Sequence, residues 1–356
     1  MSMRIGILTQ HFLRNYGGIL QNWALQQVLI KLGHTPLTFE HDTCYSRRRW
    51  LMRTTKQVLQ KRSLNNLPQY PYKGRIGHKP FIHFILKNLC SVPVHDFTRN
   101  LEAKYGIDAY IVGSDQVWRP AFNLGRLYNM YLDFASDSVK KIAYAASFGV
   151  SEWEYNSIQT KRCKELVQRF SAVSVREDSG VALCNKYLDI SAKLVLDPTL
   201  LLNKADYESL CNSIPQAKPF IFVYALNLND SIIKLSQKKS EELKTTIKTI
   251  QAGDKLKRDD SIEDWIASFR DAAFIVTDSF HGMVFSIIFN KPFLIIKNES
   301  GGNARYYSLL KQFGLEKRIV ENMNNLPQEE INWEQVNKKR MILKQSSIKF
   351  LEDSLK

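Results

Sequence analysis

Short, largely apolar runs recur along this chain, and each stops at a glycine or polar turn before residues at helical spacing take over. RIGILT (4–9), TPLTFE (35–40), IDAYIVG (107–113), KKIAYAASFG (140–149), FSAVSV (170–175) and AKLVLD (192–197) form a first set. FIFVYALN (220–227), KTTIKTIQ (244–251), AFIVT (273–277) and NKPFLII (290–296) form a second. Strands that are apolar without alternation are buried on both faces, as in parallel sheets covered by helices. Between the first two runs, Leu20, Trp23, Ala24, Val28 and Leu32 recur at helical spacing, and Gly33 supplies a stop. Strand, glycine turn (NYGG, 15–18), helix and strand make a βαβ unit. The pattern predicts an α/β protein with two Rossmann-like domains facing each other across a cleft.

A chain of 356 residues is long for one core. The alternation pauses after residue 202 and restarts at 220, which predicts domains at 1–205 and 206–356, with the long final helix packing back on the first. Residues 44–100 interrupt the first set and read as a basic insertion. Within it RRRWLMRTTKQVLQKR (47–62) interleaves seven cations with apolar residues, so peripheral contact with an anionic membrane is one expectation and a solvated insert the other.

Lys plus Arg number 50 against 35 Asp plus Glu, a formal charge of +15, which favours an anionic partner. Neither a zinc-finger spacing nor an aromatic RNA-binding signature accompanies that charge, so nucleic acid is not expected. The five cysteines are odd in number and form no C-x-x-C pair, which argues for free thiols in a reducing compartment and against a zinc site. The first strand begins at once, leaving no room for a leader, and no apolar run reaches membrane-helix length. A cytoplasmic enzyme without a metal, able to visit the inner membrane face, is the expectation.

In such sheets ligands bind beyond the carboxyl ends of strands. NYGG there brings Asn15, Gly17 and Gly18 to the positive end of a helix, an anion site, although a glycine turn alone explains it as well. GSDQVW (113–118) offers a carboxylate, an amide and an indole, the groups of a sugar-binding surface; Asp115 as a helix cap is the other reading. Arg176 of SVRE, directly after a strand, is placed to grip a carboxylate or phosphate, or else to pair with an internal acid. DPTLLL (197–202) reads as a structural turn. In TDSFHG (277–282) stands the only histidine beyond residue 95, at the start of a helix that Asp278 and Ser279 can cap. A helix N-terminus lowers the proton affinity of an imidazole and a nearby acid or phosphate raises it, so His281 is expected to titrate near neutrality.

NYGGILQNWALQ, GSDQVW, SVRE, DPTLLL, TDSFHGMVFSIIFNKPF and NARYYSLLKQFGLEKR, in this order, resemble the polysaccharide pyruvyl transferase family over residues 4 to about 318. The resemblance implies a GT-B arrangement and transfer of pyruvate from phosphoenolpyruvate, as a cyclic ketal, to a sugar of a polysaccharide or of a lipid-linked oligosaccharide precursor. It places the family's histidine on His281 and its donor-binding arginine on Arg176. Members often carry a basic residue where this chain has Ser279, and Arg305 is the candidate to replace that cation. Asn15, Gly17, Gly18, Ser279 and Gly282 complete the expected donor site. Gln116, Trp118 and Tyr16 form the expected acceptor wall. His281 is expected to donate a proton or meet the phosphate, and Asp115 to orient or deprotonate the acceptor hydroxyl, the two brought together by cleft closure. No cofactor is implied beyond the donor. The rival readings are a GT-B glycosyltransferase using a nucleotide sugar and a basic protein binding nucleic acid or acidic glycan.

Overall fold

The computed structural model describes residues 2–12, 15–41, 78–94, 96–123, 125–257, 260–297, 303–320, 326–327 and 329–356. The basic stretch 47–62 and its expected membrane contact therefore lie outside the described residues.

Twelve described strands form two parallel sheets. The first contains β1 (Arg4–Leu8), β2 (Thr35–His41), β3 (Ser91–Val94), β4 (Ala109–Val112), β5 (Lys140–Ala146), β6 (Ala172–Val175) and β7 (Lys193–Leu194), in the order β3-β2-β1-β4-β5-β6-β7. The second contains β8 (Phe220–Ala225), β9 (Ile247–Gln251), β10 (Ala272–Thr277), β11 (Phe293–Ile296) and β12 (Ile319–Val320), in the order β12-β11-β10-β8-β9. Both orders are doubly wound, and each reverses direction once, between β1 and β4 in the first sheet and between β8 and β10 in the second. Strands β4, β8 and β11 are buried at every residue, which is why their sequences do not alternate.

Five helices shape the cleft or join the two sheets: α1 (Tyr16–Lys31), α2 (Ile262–Asp271), α3 (Phe280–Ile288), α4 (Ala304–Phe313) and α5 (Trp333–Leu355). NYGG is not a free turn. The helix already begins at Tyr16, and Asn15 is its cap, accepting from Gly18 N at 3.1 Å. The final helix α5 returns to the first sheet, where Ser347 Oγ accepts from Leu196 N at 3.0 Å and Phe350 lies 6.2 Å from Tyr144. No helix among the described residues is long and apolar enough to cross a membrane.

A single apolar core joins the halves. Ile19, Leu20 and Trp23 of α1 belong to the same buried cluster as Trp265, Met283 and Phe285 of α2 and α3. Tyr16 stacks on Trp265 at 5.1 Å with the rings 12° apart, and meets Phe81 and Tyr224 edge-on. With α1 wedged against the second domain, both sheets present their carboxyl ends to one cleft.

Candidate active site

The cleft has a volume of about 600 Å³ and is built from the loops that leave the switch-point strands. Gln10, His11 and Asn15 follow β1, and Asp115, Gln116 and Phe122 follow β4. From the opposite side come Leu226 after β8, Ala252 and Gly253 after β9, and Ser279, Phe280 and His281 after β10; Arg305 closes the set from the first turn of α4. Six expected residues therefore meet in this cleft: Asn15, Asp115, Gln116, Ser279, His281 and Arg305.

His281 stands in the first turn of α3, whose cap is Ser279, its side chain accepting from Gly282 N at 3.4 Å. The ring is 6% exposed and packs on the first turn of α1, so two helix N-termini meet at one imidazole. Its Nε2 makes no hydrogen bond and lies 3.8 Å from Asp197 Oδ2. Burial pulls the imidazole pKa down to about 4, against the upward effect of Asp197. His281 is therefore neutral at pH 7, not poised near neutrality. An arriving dianion would lift it again.

Arg176 departs from expectation. Its side chain is wholly buried, and the guanidinium donates to Asp115 Oδ1 at 2.8 Å and to Asp197 Oδ2 at 2.7 Å. It does not line the cleft, so its geometry offers a donor no direct grip. A residue directly after a buried strand turns inward here, because two carboxylates wait there to satisfy it. Burial disfavours the charged forms of Asp115 and Asp197, yet the Arg176 guanidinium, joined at Asp197 by the bonds from Thr199, outweighs it, and both carboxyls are held below the usual range. Burial raises the pKa of the adjacent Glu177, whose Oε1 accepts from Phe148 N at 2.9 Å.

Asp115 has a left-handed backbone, φ +77°, a conformation sparse for non-glycine residues and frequent where a side chain must be aimed. Its Oδ1 also accepts from Gln116 N at 2.9 Å. Arg305 is 9% exposed, and burial lowers its pKa. Its guanidinium lies 5.4 Å from the Phe280 ring, which Arg176 approaches at 4.7 Å. Helix α4 is pinned to both halves, Tyr306 donating to Asp278 O at 2.6 Å and Ser308 accepting from Asp178 N at 2.9 Å.

Two further expectations, Trp118 and Tyr16, need correction, and three glycines have roles in packing and capping. Trp118 is fully buried, stacked on Tyr131 at 5.0 Å with its indole N–H on Met130 O at 3.0 Å. Tyr16 is spent on the aromatic stack between the domains and is likewise buried. Neither faces an acceptor. Gly18 serves the cap of α1, and Gly17 and Gly282 are glycines for close packing. A Cβ at Gly282 would stand 2.2 Å from Thr277 Oγ1, and one at Gly17 would stand 1.9 Å from His281 Nδ1.

Gly17→Ala is accordingly expected to displace the imidazole. Turnover should fall about a hundredfold or more, with about 1–3 kcal/mol lost from stability. The comparison is Gly18→Ala, whose added carbon meets only the Asn15 side chain at 3.1 Å. Equal turnover in the two folded variants would exclude the contact as a determinant.

Asp197, read from sequence as a turn, is the residue most underestimated. It accepts from Ser114 Oγ (3.0 Å), Thr199 N (3.1 Å) and Thr199 Oγ1 (2.7 Å) while facing His281. Its position at the carboxyl end of β7 was the available signal. Among the described residues, no three His, Cys, Asp or Glu side chains are grouped to hold a metal ion.

A model of the polysaccharide pyruvyl transferase family matches residues 15–300. No curated protein matches the chain. Solved structures with a similar course include S. aureus MnaA with UDP, at 13% identity, covering 96% of this chain and 88% of that one, TM-score 0.47. The Methanocaldococcus jannaschii UDP-GlcNAc 2-epimerase, in complex with UDP-GlcNAc and UDP, is 12% identical over 96% of this chain and 99% of its own, TM-score 0.43. The glycosyltransferase SnogD from Streptomyces nogalater is 12% identical over 99% and 100%, TM-score 0.43.

Proposed function

Because the chain belongs to the polysaccharide pyruvyl transferase family, we propose that it moves pyruvate from phosphoenolpyruvate onto two hydroxyls of a saccharide and releases phosphate. The reading rests chiefly on one observation: His281, Arg305 and Asp115 converge on a cleft where two helix N-termini meet. A donor with a carboxylate and a phosphate needs more than one centre of positive character. The Arg305 guanidinium and the N–H groups at the starts of α1 and α3 provide them.

The chemistry starts with a proton added to the donor's methylene carbon, which leaves the central carbon electrophilic. One hydroxyl oxygen bonds to that carbon and returns its proton to the His281 imidazole; the second displaces phosphate, which departs with the second hydroxyl's proton as the ring closes. His281 supplies the first proton once the bound dianion has raised its pKa. Asp115, held below the usual carboxylate range by Arg176, is a poor base but a strong acceptor, so it orients the attacking hydroxyl. Asp197 steadies the imidazolium formed in the cycle.

The test is phosphate release from phosphoenolpyruvate with galactose-, mannose- and N-acetylhexosamine-terminated acceptors, with and without a lipid carrier. Mass spectrometry should find a product heavier than the acceptor by a pyruvate less one water. Release that does not depend on acceptor, or a product lacking that increment, would defeat the reading.

A further inference from the structure

Phe122 is a large apolar side chain left 52% exposed on the wall of the cleft. It is not on a loose loop. It ends the 3-10 turn Pro120–Phe122, and the next residue, Asn123, donates through its amide to Val117 O at 2.8 Å and Arg119 O at 2.9 Å. Arg119 then lies over the Phe122 ring, 5.0 Å from its centroid. That arginine is itself clamped to Glu154 by two bonds, Nε to Oε2 at 3.3 Å and Nη2 to Oε1 at 3.2 Å. A rigid aromatic backed on one face by a fixed guanidinium, with the rest of its surface in the cleft, is a stacking platform.

Beside it the polar groups are set by their own bonds. Gln10 spends both amide hydrogens, on Gln116 O at 2.8 Å and on Asn123 Oδ1 at 3.1 Å, so its carbonyl oxygen is what remains to accept from a ligand. His11 Nε2 lies 3.4 Å from Arg126 Nη1. A guanidinium only donates, so Nε2 is the accepting nitrogen and the ring proton sits on Nδ1, a donor. Aromatic platform, acceptor and donor on one wall suit a pyranose, which has an apolar ring face and hydroxyls of both characters around its rim.

We infer that Phe122, Gln10 and His11 form the binding wall for the acceptor's pyranose ring, with Phe122 stacking its apolar face. The sugar end of this inference rests on the pyruvyl-transfer reading; the wall itself stands on the contacts above. It takes over the stacking role that Trp118, buried in the core, does not fill.

The experiment is ligand-observed NMR on the full chain with methyl β-galactoside, methyl α-mannoside and methyl β-N-acetylglucosaminide, and with UDP as a competitor of different chemistry. Saturation transfer to the C–H protons of at least one glycoside is expected. Phe122→Ala should weaken its binding about tenfold, Phe122→Trp should keep it, and UDP should not compete. Where turnover is measured, Phe122→Ala should raise the acceptor KM by a similar factor and leave the KM for phosphoenolpyruvate unchanged. If no glycoside contacts the wild type, if Phe122→Ala binds as well as wild type, or if UDP displaces the sugar, the inference falls. Phe122-dependent sugar binding without any pyruvyl transfer would leave it standing and defeat the functional reading alone.

Discussion

Arg176→Met lowers the unfolding free energy by about 3–5 kcal/mol, the cost of removing one partner from a buried ion cluster. The wild-type guanidinium is wholly buried and bonded to Asp115 and Asp197, with Glu177 Oε2 4.0 Å from its Nε. Burial opposes its charge, but Asp115 and Asp197 more than compensate, and Arg176 holds its proton more tightly than usual. Methionine fills similar space and leaves two carboxylates buried without their counter-ion. Such groups take up protons instead, which sets the sign of the pH effect. The folded variant then binds more protons than its unfolded chain, so its stability recovers as pH falls from 7 toward 5. Wild type gains nothing from this pair over that range: Asp115 and Asp197, held low when folded, are ionised in both states there and lose their contribution only below about pH 5. Arg176→Lys keeps the charge but cannot reach both acids in a fork, so it should fall between the two. Urea unfolding at pH 7 and pH 5 measures all three. A loss below about 1 kcal/mol for the methionine variant would mean that the cluster stabilises neither carboxylate.

That cluster also explains where a sequence reading succeeds and where it stops. Strands such as AYIV and FIFVYA are recognisable because parallel strands covered on both sides are apolar at every residue. Strand β3 and the helix Lys79–Asn88 were hidden because they lie within the basic segment 44–100, whose composition masks their pattern. The level of the site was legible too, since Asp115, Ser279 and His281 all follow switch-point strands. The direction of a side chain at that level was not. Arg176 and Trp118 each stand at a strand end or in the turn after it, and both point inward because specific partners elsewhere in the chain, Asp197 and Met130, receive them. Asp197 is a turn residue through its local bonds from Thr199, and its second role was hidden because Ser114, Arg176 and His281 are distant in sequence. Phe122 and His11 carried no motif at all; only their shared wall of the cleft distinguishes them.

His281→Asn reduces pyruvyl transfer by about 10²- to 10⁴-fold and leaves binding of both substrates close to wild type. The free imidazole has a pKa of about 4 because burial disfavours its charged form. In the proposed reaction it donates only in the fraction of complexes where the bound dianion has restored the proton, so kcat is expected to be lost as pH rises through the raised pKa of the complex. The asparagine variant keeps an amide able to hydrogen-bond but has no titrating proton, and its residual rate loses that limb of the profile. Arg305→Met separates charge from proton transfer: it weakens the donor's anionic groups directly, raising the KM for phosphoenolpyruvate, and leaves the limb in place. Steady-state rates from pH 5 to 9 with a saturating acceptor distinguish the two. A wild-type kcat flat across that range, or an asparagine variant within threefold of wild type, would remove His281 from proton transfer and confine the imidazole to packing against Gly17.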